Sequence, residues 1–316
     1  MGSRIYLDHA ATTPMSPAAV EAMTRLLPLV GNPSSLHAAG RDARRVVEES
    51  REQVAAGIGA RPGDVVFTSG GTEADNLAVK GIYWARRAED PRRVRVLTSA
   101  IEHHAVLDPV EWLGAHEDAQ VELLPVDSQG RLLVDQLRAT VQSAPETVAL
   151  ISVMWANNEV GTLQPIDEVV SIAAEYGIPV HSDAVQAVGS VPVDFAGSRL
   201  DALALTGHKL GGPMGVGALV VRRELAVTPL MHGGGQERDI RSGTLNTPAI
   251  AGLAAAFTWS VDHVAEHATR LAQLRDRLVA GVQQAVPDAI YNGASDPAQR
   301  PPGTAHPKFP GREGDA

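Results

Sequence analysis

Two rhythms of apolar residues share this chain. Short, nearly unbroken apolar runs at Asp64–Thr68, Val94–Thr98, Val148–Val153, Ile178–His181, Ala202–Leu205 and Gly217–Val221 read as buried strands. Around and between them, Ala18–Leu27, Gly40–Ile58, Glu73–Ala88, Ala105–Ala115, Leu133–Val141 and Ile166–Tyr176 carry apolar residues at helical spacing. Strands that alternate with helices predict an α/β fold with a mostly parallel sheet. No internal repeat interrupts the pattern.

The rhythm changes near Thr247-Pro248. From Ala249 to Ala285 it is helical, with Leu271, Leu274 and Leu278 at three- and four-residue steps. After Tyr291 periodicity is lost, and Pro297–Ala316 is rich in Pro, Gly and charge. The expected organisation is a large domain over residues 1–247 and a partial small C-terminal α/β domain over 248–316, with the chain shortened relative to a full-length relative. Such a helix should expose apolar surface.

Composition narrows the function. The 316 residues carry a formal net charge of -10, which argues against nucleic acid or an anionic membrane as the partner. Residues 1–13 show no apolar signal core, and the longest apolar runs are too short to span a bilayer, so a cytoplasmic location is expected. There is no cysteine, hence no disulfide, no thiolate metal site and no cysteine nucleophile within these residues.

Five polar constellations follow successive apolar runs. Thr206-Gly-His-Lys209 places a lysine where partial desolvation favours the neutral amine that Schiff-base chemistry needs; alone, it also reads as a solvated loop lysine. Asp183 ends an apolar run 26 residues earlier; it suits either a cationic ring nitrogen or a helix N-cap. Ser69-Gly-Gly71-Thr72-Glu73, between a strand and a helix, can cradle an anion or simply form a capped turn. Glu102-His103-His104 offers an imidazole to stack on a ring, or a polar turn. Asn157-Asn158-Glu159 offers amides to an acceptor, or a turn. Together the five fall on one edge of one sheet.

Three other motifs carry little. His263-Val-Ala-Glu-His267 fits an inverted zinc-protease pattern but has no third ligand, and no metal is expected. His232-Gly-Gly-Gly lacks the G-x-S-x-G elbow of a hydrolase. Gly211–Gly217 follows a lysine loop and does not open a helix as a dinucleotide fingerprint would.

The chain resembles the cysteine desulfurase branch of the class V aminotransferases. The matching strings are Tyr6-Leu-Asp-His-Ala-Ala-Thr-Thr13, Gly31-Asn-Pro-Ser-Ser-Leu-His37, Phe67-Thr-Ser-Gly-Gly-Thr-Glu-Ala-Asp-Asn76, Glu102-His103, Asn157-Asn-Glu-Val-Gly161, Asp183-Ala-Val-Gln186, Gly207-His-Lys209, His232-Gly-Gly-Gly-Gln236 and Arg241-Ser-Gly-Thr-Leu245. They run from Arg4 to about Asn292. The resemblance implies an aminotransferase-like fold of type I and pyridoxal 5′-phosphate (PLP) as cofactor. It implies that Lys209 bonds the cofactor and moves protons, that Asp183 pairs with the ring nitrogen and that His103 stacks on the ring. Gln186 and Asn158 would bond the phenolic oxygen or nearby substrate atoms. Gly71 lies in the phosphate-cradling turn, and Thr72, Thr206 and His208 would hold the phosphate, with Thr244 reaching the phosphate of a partner subunit. It implies a homodimer that takes sulfur from L-cysteine, leaves alanine, and passes sulfur to an iron–sulfur scaffold or a thiolation acceptor.

The family carries that sulfur on a C-terminal loop cysteine and binds the substrate carboxylate with a later arginine; this sequence shows neither, although Pro302–His306 and Phe309–Asp315 resemble the stretch before that loop. Within the superfamily the alternatives are an aminotransferase, a lyase or a selenocysteine lyase. Outside it, the alternative is a non-catalytic PLP-binding remnant.

Overall fold

The computed structural model describes residues 5–311; Arg4, where the family likeness begins, and tail residues Arg312–Ala316 lie outside them. After an extended arm, Ser16 opens the first helix. Its hydroxyl accepts from the Ala19 N–H and Pro17 takes the first helical position, giving α1 (Pro17–Leu26). His37 caps α2 (Ala38–Gly57) in the same way, through its Nδ1. The chain then alternates as its apolar rhythm requires: β1 (Val65–Thr68), α3 (Gly71–Glu89), β2 (Arg95–Ser99), α4 (His104–His116), β3 (Gln120–Leu124), α5 (Val134–Ser143), β4 (Val148–Ser152), α6 (Ile166–Ala174), β5 (Val180–Asp183), α7 (Phe195–Ser198), β6 (Ala202–Thr206) and β7 (Gly217–Val221).

These seven strands form one sheet in the order β1-β7-β6-β5-β4-β2-β3. All run parallel except β7, which lies antiparallel between β1 and β6. Apart from the edge strand β3, the sheet is buried on both faces, so its strands read as continuous apolar runs while alternate residues serve opposite layers. Val65, Phe67, Leu203, Leu205 and Val220 face a core with α2, α5 and α6. Val66, Ala202, Ala204, Leu219 and Val221 face a second core with α3 and α4. The alanines on that face let α3 lie close to β6.

The C-terminal part departs from one long helix. The helical stretch breaks at His263 into α8 (Thr247–Asp262) and α9 (Val264–Ala285). α8 buries Ile250, Leu253 and Phe257 and packs against α1 and α2. Thr247 and Pro248 form the first turn of α8, capped by Asn246. α9 is followed by a small antiparallel pair, β8 (Ile290–Asn292) and β9 (His306–Lys308). Leu271, Leu274 and Leu278 on α9 are 37%, 49% and 56% exposed, an apolar stripe facing outward. Among the described residues no helix is long and apolar enough to cross a membrane.

Two devices fix the sheet edge that matters. Arg51 of α2 and Glu237 form a buried two-pronged ion pair, both N···O distances 2.7 Å, and Glu237 also accepts from the Phe67 N–H. This bolts the long loop after β7 to β1. Gly217 begins β7 where a Cβ would stand 2.6 Å from the Leu205 oxygen and 2.8 Å from Gly70 Cα, so only glycine lets three strand ends converge.

Candidate active site

A cavity of about 450 Å³ opens at the carboxyl ends of β1, β2, β4, β5 and β6, where open α/β sheets bind ligands. Nine of the ten residues singled out in the sequence line it; Thr244 does not, and is exposed on the loop before α8.

β1 leads into the turn that starts α3. Gly71 and Thr72 lie in the helix's first turn, whose N–H groups have no partner within the helix. A Cβ on Gly71 would meet Val185 Cγ2 at 2.8 Å, so the turn sits tight against the loop after β5. Across the cavity floor Thr206, 2% exposed, has an Oγ1 with no hydrogen-bond partner. A buried hydroxyl beside unpaired helix-start N–H groups is a site for an anionic oxygen.

After β2, His103 caps α4: its Nδ1 accepts from the Ala105 N–H. That contact assigns the imidazole proton to Nε2 in the neutral ring. After β4 the two asparagines divide the work. Asn157 is a buried turn-former, with Oδ1 accepting from the Glu159 and Val160 N–H groups and Nδ2 donating to the Ile101 oxygen. Asn158 lines the cavity and its amide donates to Glu159.

β5 ends at Asp183, whose Oδ1 accepts from the Val185 N–H at 2.9 Å. Burial pushes its carboxyl upward, against the pull of that N–H, His103 and Lys209. The carboxylate thus lacks the full positive partner that its burial demands. Lys209, after β6, is pushed down by burial, with Asp183 and Asp75 opposing; its neutral amine is more accessible than that of a surface lysine. Burial also lowers His208, whose Nδ1 lies 3.2 Å from Thr12 Oγ1.

The arm before α1 closes one wall, a contribution the strand pattern does not announce. Asp8, Ala10 and Ala11 line the cavity. Gln186 donates its amide to the Ala10 oxygen, and the Thr13 N–H donates to the His208 oxygen. Asp75 and Met154 were also unmarked by the strand-end rule. In the sequence Asp75 stands out only as an acid between Ala74 and Ala78, which does not distinguish it from a surface acid; the fold buries all three on α3.

The class-V aminotransferase family model matches residues 5–313. The chain is 57% identical over 311 residues to the IscS-like cysteine desulfurase of Mycobacterium tuberculosis, covering 98% of this chain and 79% of that protein. The chain belongs to the cysteine desulfurase branch of the class-V aminotransferases. Among solved structures it is similar to a NifS-like protein, with TM-score 0.88, 35% identity, and coverage of 95% of this chain and 80% of the other. It is also similar to SspA in complex with cysteine, with TM-score 0.76, 36% identity, and coverage of 82% and 73%.

Cysteine desulfurases of this family use PLP, and the cavity fits it. The phosphate's needs match the Gly71–Thr72 turn and the unpartnered Thr206 hydroxyl. The ring nitrogen's needs match Asp183, a buried carboxylate short of a cation. The aldehyde's need matches an amine whose charge is disfavoured, Lys209. The His263–His267 pair is an aromatic contact with Trp259, at 4.9 and 4.8 Å between ring centres. Among the described residues no group of three or more potential ligands gathers for a metal.

Proposed function

We propose that this chain is a PLP-dependent cysteine desulfurase that takes sulfur from L-cysteine and leaves alanine, acting as a cytoplasmic homodimer that serves an iron–sulfur scaffold or thiolation acceptor. The observation that carries this reading is the placement of Asp183 and Lys209 on one cavity wall, with the unpartnered Thr206 hydroxyl beneath. When bound, PLP supplies a carbonyl for amines and a ring that withdraws electrons.

The protein's own groups do the rest. Thr206, His208 and the N–H groups of Gly71 and Thr72 hold the phosphate. Asp183 would accept a hydrogen bond from the ring nitrogen and keep that nitrogen protonated. Lys209 Nζ, neutral at lower pH than a free lysine, takes and returns protons on one side of the bound amino acid. His103, which lines the cavity with its Nδ1 held by the Ala105 N–H, would stack against the ring and serve as a second proton carrier. Asn158 and Gln186 orient the phenolic oxygen. Thr244, exposed on the loop before α8, would reach the phosphate of a partner subunit. These 316 residues contain no cysteine, so the thiol that receives sulfur comes from outside them.

The test is a visible absorption spectrum of the chain with PLP, before and after L-cysteine, with Lys209→Ala as control and alanine as the assayed product. A lysine-dependent band and alanine release with an added thiol are expected. A band without alanine would make the chain a cofactor-binding shell, and no band in folded protein would remove the PLP reading.

A further inference from the structure

Beneath the cavity lies a buried polar cluster that the proposed reaction leaves unused. Asp75, on α3 one turn beyond Gly71, is 1% exposed and lines the cavity floor. Its Oδ1 stands 3.4 Å from His181 Nε2, yet neither atom completes a hydrogen bond. His181 is 0% exposed, and its Nδ1 lies 2.9 Å from the hydroxyl of Ser152, its register partner on β4. Residues i and i+2 of a strand share a face, so His181 and Asp183 both point toward α3, beside Ala202 and Ala204. Asp75 and Asp183 therefore occupy one buried layer.

Two carboxyl groups in such a layer cannot both ionise cheaply. The structure supplies support to only one. Asp183 has the Val185 N–H and feels His103 and Lys209. Asp75 faces His181, which burial holds neutral with a pKa of about 3, so it is no cation. The other charged groups near Asp75 are Asp183 from β5, Glu102 from the loop after β2, and Lys209 from the loop after β6. Burial drives Asp75 well upward, Asp183 and Glu102 add to this, and only Lys209 opposes.

We infer that Asp75 is a positioning residue for Asp183: it remains a neutral carboxylic acid in the cavity floor, leaving Asp183 as the carboxylate that meets the ring nitrogen. The last clause rests on the PLP reading; the protonation of Asp75 does not.

Thermal melts of the cofactor-free chain from pH 5 to pH 8, wild type against Asp75→Asn, decide the protonation. A carboxyl kept neutral in the fold must hold its proton against its tendency in the unfolded chain. Its stabilising share is full below the unfolded pKa and is lost as pH rises. The asparagine, a neutral isostere, escapes that loss. Asp75→Asn is expected to gain on wild type from pH 5, where part of that share is already lost, to pH 8, the gap in melting temperature widening by about 2–4 °C or more. Glu102, Asp183 and Lys209 titrate in both proteins and largely cancel. A pH-independent gap, or a variant that falls below wild type as pH rises, overturns the inference.

If Asp75→Asn does not fold, infrared spectra of aspartate-labelled wild type and Asp183→Asn decide instead. A protonated aspartate carboxyl must persist at neutral pH in both, and its absence overturns the inference. With PLP bound, Asp75→Ala is expected to move the pH midpoint of the visible band and Asp75→Asn to restore it. An unmoved midpoint in Asp75→Ala overturns the positioning role while leaving PLP binding intact.

Discussion

Single side chains at the cavity act in opposite directions on stability and on binding. Thr206 holds a buried hydroxyl with no partner, which costs the empty fold about 1–3 kcal/mol. Thr206→Val should therefore raise the melting temperature of the cofactor-free chain. The same change should weaken PLP roughly 10–100-fold, the worth of a hydrogen bond to a charged group; fluorescence titration reads it. Glu102 gives a pH-dependent case. Burial lifts its carboxyl to about 8, although the Ser99 hydroxyl and Met154 N–H resist. Its folded pKa is raised, so its stabilising share is present below the ordinary carboxylate range and lost as pH climbs toward 8. Glu102→Gln keeps an oxygen for those donors and should become the more stable protein by a few kcal/mol at pH 8, with no advantage at pH 4; urea melts at both values check this. The sequence showed these residues unequally. Lys209, Asp183 and Thr206 could be picked out because each ends an apolar run. Asp75 and Glu102 could not be ranked, because only burial from neighbouring elements turns them from surface acids into site residues.

Elements are held to the site by contacts across long stretches of chain. The Arg51–Glu237 pair joins α2, β1 and the loop after β7. Glu237→Ala leaves the guanidinium buried without its partner and the Phe67 N–H unmet. A loss of about 3–5 kcal/mol is expected in a urea melt, with PLP binding weakened because β1 leads into the Gly71 turn. The strands that position the site were legible because both their faces are covered. β3 was missed for the opposite reason: it is an edge strand, Gln120-Val-Glu-Leu-Leu124, with most of its residues partly open to solvent, so its polar content hid it. The antiparallel course of β7 was not legible either, since an apolar run has no direction. Nor was the place of α8, whose helical rhythm showed that it buries a face but not that the face belongs to α1 and α2.

At the scale of the whole molecule, charge and apolar surface pull apart. A net charge of -10 favours dispersed molecules, while the outward leucines of α9 favour association. Replacing Leu274 and Leu278 by lysine should reduce concentration-dependent light scattering. It should change folding stability by no more than about 0.5 kcal/mol, because both side chains are about half exposed. Unchanged scattering would place the sticky surface elsewhere.

The arm that walls the cavity has a consequence in time. Its contacts to Gln186 and His208 span 176 and 196 residues of sequence. A ribosome adding about 5–20 residues per second makes Asp8–Thr13 roughly 10–40 s before the groups they will touch. The arm emerges early and waits. A nascent chain can form the Gly71 turn and the His103 cap long before Lys209 exists, but it has no complete cofactor wall until β6 has been made and the arm has folded back across it.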